Sequence, residues 1–263
     1  MNARLIVLAA LLVLGACTGP KARPAHVLRV AATEVPHAEI LRSVAPQLAR
    51  QGVDLRVVVF NDYVQPNTQV EEKQLDLNYF QTLPYLTQFN RSKGTHLVAI
   101  VGVHIEPMGA YSRRYKSLSS LPQGAEVALP DESSNEGRAL LLLQKAGLIR
   151  LRDPKDPLAT LRDIADNPRR LRFRELEGAS LPRALDEVDL ALINTNYALD
   201  AKLDPLRDAL VIEDAHSPYV NYLVGRPDNQ NDPDVRKLAA ALTSPEVKAF
   251  IAAHYHGAVV AAF

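Results

Sequence analysis

VLRVAATEVPHAEILRSVAPQLARQGVDLRVVVF, Val27 to Phe60, decides the fold. Its first residues, Val27 to Ala32, form a short β-branched apolar run that predicts a buried strand. After Pro36, the residues Ala38, Leu41, Ala45 and Leu48 recur at helical spacing. Gln51-Gly52 closes that helix, and DLRVVVF predicts a second strand. Strand, helix, strand with continuously apolar strands implies a mostly parallel sheet covered on both faces.

The same signals continue along the chain. THLVAIVG, AEVALP, VDLALIN and YVNYLVG extend the strand series, and helical stretches lie at Arg138 to Ala146, Pro182 to Glu187 and Val235 to His254. The strands are too many for one sheet of a body this size, so the reading is α/β with two lobes and a ligand cleft between them. IEPMGAYS (Ile105 to Ser112) and HSPYVNY (His216 to Tyr222) are the expected crossings. Lobe one then spans 27–106 plus 222–263, and lobe two spans 107–221. Ligands of such proteins bind in the cleft, near the carboxyl ends of the strands.

Composition narrows the function. The 263 residues include 30 basic and 30 acidic side chains with no long Lys/Arg run, so nothing marks a nucleic-acid partner. The N-terminus reads MNARLIVLAALLVLGACTG, with Arg4 before an apolar run that ends at Cys17, the chain's one cysteine. That run is short of the roughly 20 residues that span a bilayer and sits where a secretory h-region belongs. Leu14, Gly15 and Ala16 before Cys17 resemble a bacterial lipobox. The expectation is a signal peptide over 1–16, a lipidated, palmitate-bearing Cys17, and a tether to residue 26 holding the body at a membrane surface on the periplasmic side.

DESSNEGRALLLLQKAG, Asp131 to Gly147, predicts a helix with a capping box of Ser133 and Glu136 and a stop at Gly147. Arg138 sits near the helix start, where a cation opposes the macrodipole. Its helical neighbours, Ser134, Asn135, Leu141 and Leu142, include no carboxylate. Such an arginine beside unpaired backbone N–H groups suits a ligand carboxylate; pointing into water or pairing with a distant acid is the competing reading. Asn194, after VDLALI, and Asn221, in SPYVNY, sit where amides can meet a zwitterion or serve turns. Asn135 is expected to belong to the turn.

Catalytic signals are weak. There is no G-x-S-x-G elbow, and Glu71 and Glu72 suit solvent. His37, His96, His104, His254 and His256 form no metal-ligand motif, so neither a metal nor a cofactor is expected. LDLNYFQTLPYL, Leu75 to Leu86, gathers three aromatics in a chain with 6% of them. It is either core or pocket wall, with a strand end at Asp76 to Tyr79 and Pro84 shaping a turn.

PHAEI, VVFNDYVQPN, LDLNYFQTLPYL, HIEPMGAYS, SNEGRALLLLQKAGLI, INTNYA and DAHSPYVNYLV occur in that order across the whole body. Together they resemble the NlpA/MetQ family of bacterial methionine-binding lipoproteins, substrate-binding components of an ABC importer. The resemblance implies a periplasmic-binding-protein-like pair of lobes closing over one amino acid, delivery to a permease, and no reaction catalysed. It also assigns residues: Arg138 to the ligand carboxylate, Asn194 and Asn221 to the zwitterion, and Tyr63, Phe80 and Tyr85 to the side-chain slot. The family pattern has His where this chain has Thr82, and a smaller hydroxyl there enlarges or repolarises the slot. Another amino acid, a methionine-containing dipeptide, or a periplasmic hydrolase on the same scaffold are the alternatives.

Overall fold

The computed structural model describes residues 26–214 and 217–263; the signal segment, Cys17 and the tether before His26 lie outside the described residues. The strands are β1 (His26–Ala32), β2 (Val53–Val59), β3 (Leu77–Thr82), β4 (Val98–Ile105), β5 (Gly109–Tyr111), β6 (Glu126–Pro130), β7 (Arg150–Leu151), β8 (Ile164–Asp166), β9 (Arg172–Leu176), β10 (Leu190–Ile193), β11 (Ala209–Ile212), β12 (Val220–Gly225) and β13 (Val260–Ala261). The α-helices are α1 (Glu39–Arg50), α2 (Gln65–Glu71), α3 (Leu83–Lys93), α4 (Ser133–Lys145), α5 (Leu181–Ala184), α6 (Thr195–Asp200), α7 (Pro205–Asp208), α8 (Pro233–Leu242) and α9 (Pro245–Tyr255).

The chain folds as two α/β lobes, each built on its own sheet. One sheet has the order β13-β4-β12-β3-β1-β2 and the other β11-β5-β10-β6-β9, with β7 and β8 as a separate ribbon. The chain leaves the first sheet after Ile105, enters the second at Gly109, and returns between Ile212 and Val220. The expectation of a mostly parallel sheet fails. β1 is flanked in parallel by β2 and β3, and β6 by β10 and β9. The passage strands β4, β5, β11 and β12 take antiparallel partners, because the outward and return passes of the chain run in opposite directions.

Helix α1 shows how sequence sets packing. Ile40, Leu41, Val44 and Leu48 are buried on one stripe, while Pro46 sits on the exposed face, where its missing N–H costs least. That stripe packs with Val30 of β1 and with Leu238, Leu242, Val247 and Ile251 of α8 and α9, so the C-terminal helices close the first lobe's core. The single helix expected over Val235 to His254 is two: α9 restarts at Pro245, with Ser244 Oγ accepting from the Val247 N–H at 3.3 Å. The second core gathers Val127, Leu129, Leu140, Leu143, Leu190 and Leu192. A third cluster joins Tyr63, Phe80, Tyr85 and Phe89 to Tyr111, Leu181 and Tyr197, so apolar packing runs from one lobe to the other.

Candidate functional site

The LDLNYFQTLPYL stretch places its side chains by a strand-to-helix switch. All six residues of β3 are buried, and α3 begins directly after Thr82. The strand therefore runs past Tyr79 to Thr82. Pro84 is in the first turn of α3, a position that suits its fixed φ, and not in a turn connecting two elements. Phe80 and Tyr85 then converge on Tyr63, with ring centroids 5.6 and 5.7 Å from it. The Tyr85 hydroxyl donates to the Tyr63 carbonyl at 2.9 Å.

The opposite wall comes from the second lobe. The Tyr63 hydroxyl donates to Asn196 Oδ1 at 2.6 Å, and its ring stacks on Tyr197 at 4.9 Å. Between the walls lies a small cavity, lined by Tyr63, Phe80, Gln81, Thr82, Tyr85, Glu106, Asn135, Arg138, Asn194, Thr195, Asn196 and Asn221. The structure thus brings all seven sequence-predicted ligand residues to one cavity. Asn221 and Thr82 are direct partners across the β12–β3 ladder.

Arg138 is buried, at 3% exposure, on α4. It does meet a distant acid: Nε donates to Glu213 Oε1 at 2.8 Å and Nη2 to Glu213 Oε2 at 2.5 Å, just beyond β11. Nη2 also donates to the Glu106 carbonyl at 2.6 Å, and the guanidinium lies 4.2 Å from the Tyr219 ring centroid. Burial works against the charge, yet the Glu213 contact holds the Arg138 pKa above its ordinary value. Nη1 carries none of these bonds.

The expected capping box is absent. Glu132 is the N-cap residue of α4 without a side-chain cap bond, and Glu136 Oε1 instead accepts the Leu161 N–H at 2.9 Å. Asn135 is also more than a turn residue, since its Oδ1 accepts from Asn194 Nδ2 at 3.1 Å within the cavity wall. That bond uses one end of the Asn194 amide. Asn194 Oδ1 is buried with no partner among the described residues, an acceptor aimed at the cavity.

Beneath the cavity floor lies a polar network that links three elements. Among the described residues, His37 and His104 come together with Glu106, their candidate ligand atoms within 4.8 Å of one another. His104 Nε2 is 2.6 Å and His37 Nε2 is 3.2 Å from Glu106 Oε1. His37 Nε2 also reaches Asn221 Oδ1 at 3.1 Å. The Thr33 hydroxyl contacts His37 Nδ1 at 2.7 Å, and the Tyr79 hydroxyl contacts His104 Nδ1. Desolvation lowers the pKa of His37 to about 4 and of His104 to about 3, and burial raises that of Glu106. Both imidazoles are therefore neutral at pH 7, and hydrogen bonds account for each ring nitrogen. His96 instead sits exposed near Glu71, and His254 stacks on Phe250.

Sequence reasoning missed Gln81, Glu106, Thr195 and Asn196. Gln81 lies within a quoted motif, held by Asn67 and Asn78 through amide bonds of 2.6–3.0 Å. Thr195 and Asn196 follow Asn194 directly, so the signal was the adjacent helix start. Glu106 sat unnoticed in a segment read only as a crossing.

Two α/β lobes enclosing a cavity with a basic, an acidic and an aromatic side define a substrate-binding protein of the bilobal kind. This chain belongs to the NlpA lipoprotein family, whose model matches residues 28–263. It is 44% identical over 212 residues to the D-methionine-binding lipoprotein MetQ of Yersinia pestis, covering 80% of this chain and 78% of that one. Lipoprotein 28 of Escherichia coli K12 is 43% identical over 225 residues, covering 85% and 82%. Among solved structures, a nutrient binding protein from Burkholderia cenocepacia bound to methionine aligns with TM-score 0.85 and 43% identity, over 90% of this chain and all of that one. Lipoprotein Tp32 from Treponema pallidum aligns with TM-score 0.87 and 39% identity, over 90% and 100%. No helix among the described residues is long and apolar enough to cross a membrane.

Proposed function

We propose that this chain captures methionine, as the L form, the D form or both, and delivers it to an ABC permease without transforming it. A lipid on Cys17 would hold it at the periplasmic face of a membrane. The observation that carries the reading is the chemistry of the cavity. One base, Arg138, and one acid, Glu106, face an aromatic slot of Tyr63, Phe80 and Tyr85.

In this reading the ligand carboxylate takes Arg138 Nη1, the donor left over by Glu213. Asn194 Oδ1 and Asn221 meet the polar end. The thioether lies among the rings, where sulfur–aromatic contact is worth about 0.3–1.5 kcal/mol. Thr82 lines the same cavity, and its hydroxyl makes no capping bond to α3, so it is available to tune the slot. The proposed lobes follow the two crossings, 27–106 with the C-terminal segment and 107 onward to the return. Val220 and Asn221 are strand residues of the first sheet, which supports drawing the return boundary of the proposed lobes just before Val220.

Calorimetric titration of ligand-free protein with L-methionine, D-methionine, leucine and Gly-Met tests the proposal. Saturable binding of one methionine per chain, tighter than leucine, is expected. Preference for the dipeptide or for an unrelated amino acid would redirect it to a different ligand.

A further inference from the structure

Glu132 belongs neither to the ligand cavity nor to the histidine network, yet it lies between the lobes. A groove on the flank of the cleft sets Glu132, Ser133 and Ser134 of the second lobe against Tyr85, Phe89 and Lys93 of the first. Tyr85 is a wall of both this groove and the ligand cavity. Glu132 Oε2 is buried with no partner among the described residues. Its place as the N-cap residue of α4 does not engage the carboxyl group, since the side chain makes no cap bond.

The neighbouring phenols do not serve it. Tyr63, Tyr85 and Tyr197 are near enough for the Glu132 charge to act on them, and burial keeps all three neutral. Each hydroxyl has one proton and gives it elsewhere: Tyr63 to Asn196 Oδ1, Tyr85 to the Tyr63 carbonyl, and Tyr197 to the Asn61 carbonyl at 3.2 Å. The charged groups acting on Glu132 are the acids Asp131 and Glu177, and Asp62 acts on the same tyrosines. Lys93 lines the groove but is exposed and makes no ion pair with Glu132 among the described residues. The N–H groups of Glu132 itself and of Gly178 favour the charge, but desolvation outweighs them and pushes the Glu132 pKa up to about 7. An unpaired neutral group in such a place costs less than an unpaired charge.

Part of that burial is supplied by Tyr85 and Phe89 of the first lobe, and it is lost when the lobes part. We infer that lobe closure and protonation of Glu132 are coupled: the closed, loaded form carries the neutral acid, the open form carries the carboxylate, and closing takes up one proton from solvent. The inference rests on reading the chain as a binding protein that closes on methionine, and adds control of ligand retention by pH. Because the closed-state pKa is raised above the open-state value, the added affinity is fully present below the open-state pKa and is lost as pH rises through about 7.

Calorimetry with methionine at pH 6, 7 and 8, in buffers of different ionisation heats, tests this. Wild type should take up about one proton per methionine at pH 6 and far less at pH 8, and its affinity should fall roughly fivefold to tenfold between the two. Glu132→Gln is neutral throughout, so its affinity should change by less than about twofold over that range, with the proton uptake gone. Protons exchanged by Glu106, His37 or His104 would persist in the variant, so the difference between the two proteins is what reports on Glu132. Equal pH dependence in wild type and variant, or none in wild type, overturns the inference. Should the glutamine variant not fold, Glu132→Ala takes its place with the same expectations. A wild type that binds no methionine at any of these pH values removes the functional reading and the inference with it, whereas binding without proton uptake removes the inference alone.

Discussion

The cleft wall built on β3 and α3 consists of rings, whereas the wall built on α4 and the β10–α6 junction consists of amides and one arginine. The ring wall is held by packing: Tyr63, Phe80 and Tyr85 touch one another and the second lobe's Tyr197. The polar wall is held by pairing, with Arg138 on Glu213 and the Glu106 carbonyl, and Asn194 on Asn135. Packing is graded and tolerates a change of shape, but a buried pair that loses one member leaves the other uncompensated. Truncations on the polar wall should therefore cost binding most, and changes on the ring wall should shift selectivity more gently.

The largest expected effect follows from removing Arg138. Arg138→Ala should weaken methionine binding by roughly 2–5 kcal/mol in calorimetry, and Arg138→Lys should recover only part of it because the planar fork is lost. Affinity unchanged in the alanine variant would mean that the polar wall does not hold the ligand carboxylate.

Next in size is the response of stability to acid. The folded-state pKa of His37, about 4, and of His104, about 3, lie below their ordinary value of 6.5. Protons therefore bind the unfolded chain preferentially, and the stability these rings confer is present above about pH 6.5 and is lost as pH falls toward 4. Glu106, whose pKa is raised, works in the opposite direction and offsets part of that loss. Chemical denaturation at pH 7, 5.5 and 4 should show a decline on the order of 1 kcal/mol or more. The decline should be smaller in His104→Gln, and an identical pH slope in that variant would remove His104 from the account.

Smaller effects belong to the ring wall. Tyr63→Phe removes the hydrogen bond to Asn196 across the lobes and leaves that amide oxygen without it, so affinity should drop by about 0.5–1.5 kcal/mol while the apolar slot persists. Thr82→His should alter the ratio of methionine to leucine affinity by less than about tenfold, since one slot contact is exchanged. A change larger than that at Thr82, with no effect at Tyr63, would reverse the contrast between the walls.

The ring wall was legible in sequence because its aromatics are concentrated near Tyr79 to Tyr85 and because Tyr63 lies in a matching motif. Arg138 was legible as an arginine out of place at a helix start, although its carboxylate partner lies 75 residues away on another element and no helical periodicity reports it. Glu106 and its histidines were not legible for the same reason: His37 precedes α1, His104 lies near the end of β4, and only the tertiary fold brings their rings to 4.9 Å. Mixed pairing was likewise hidden, since apolar strands look alike whichever way their neighbours run. The split between α8 and α9 was readable at Ser244-Pro245, where a cap residue followed by proline marks a new helix.

Methionine binding by refolded, ligand-free protein, read as a shift in thermal midpoint together with titration heat, tests the central claim most directly. Saturating methionine should raise the midpoint by several degrees, with one molecule bound per chain, and Arg138→Ala should abolish the shift at the same concentration. No shift and no heat for wild type at millimolar L- or D-methionine would contradict the account.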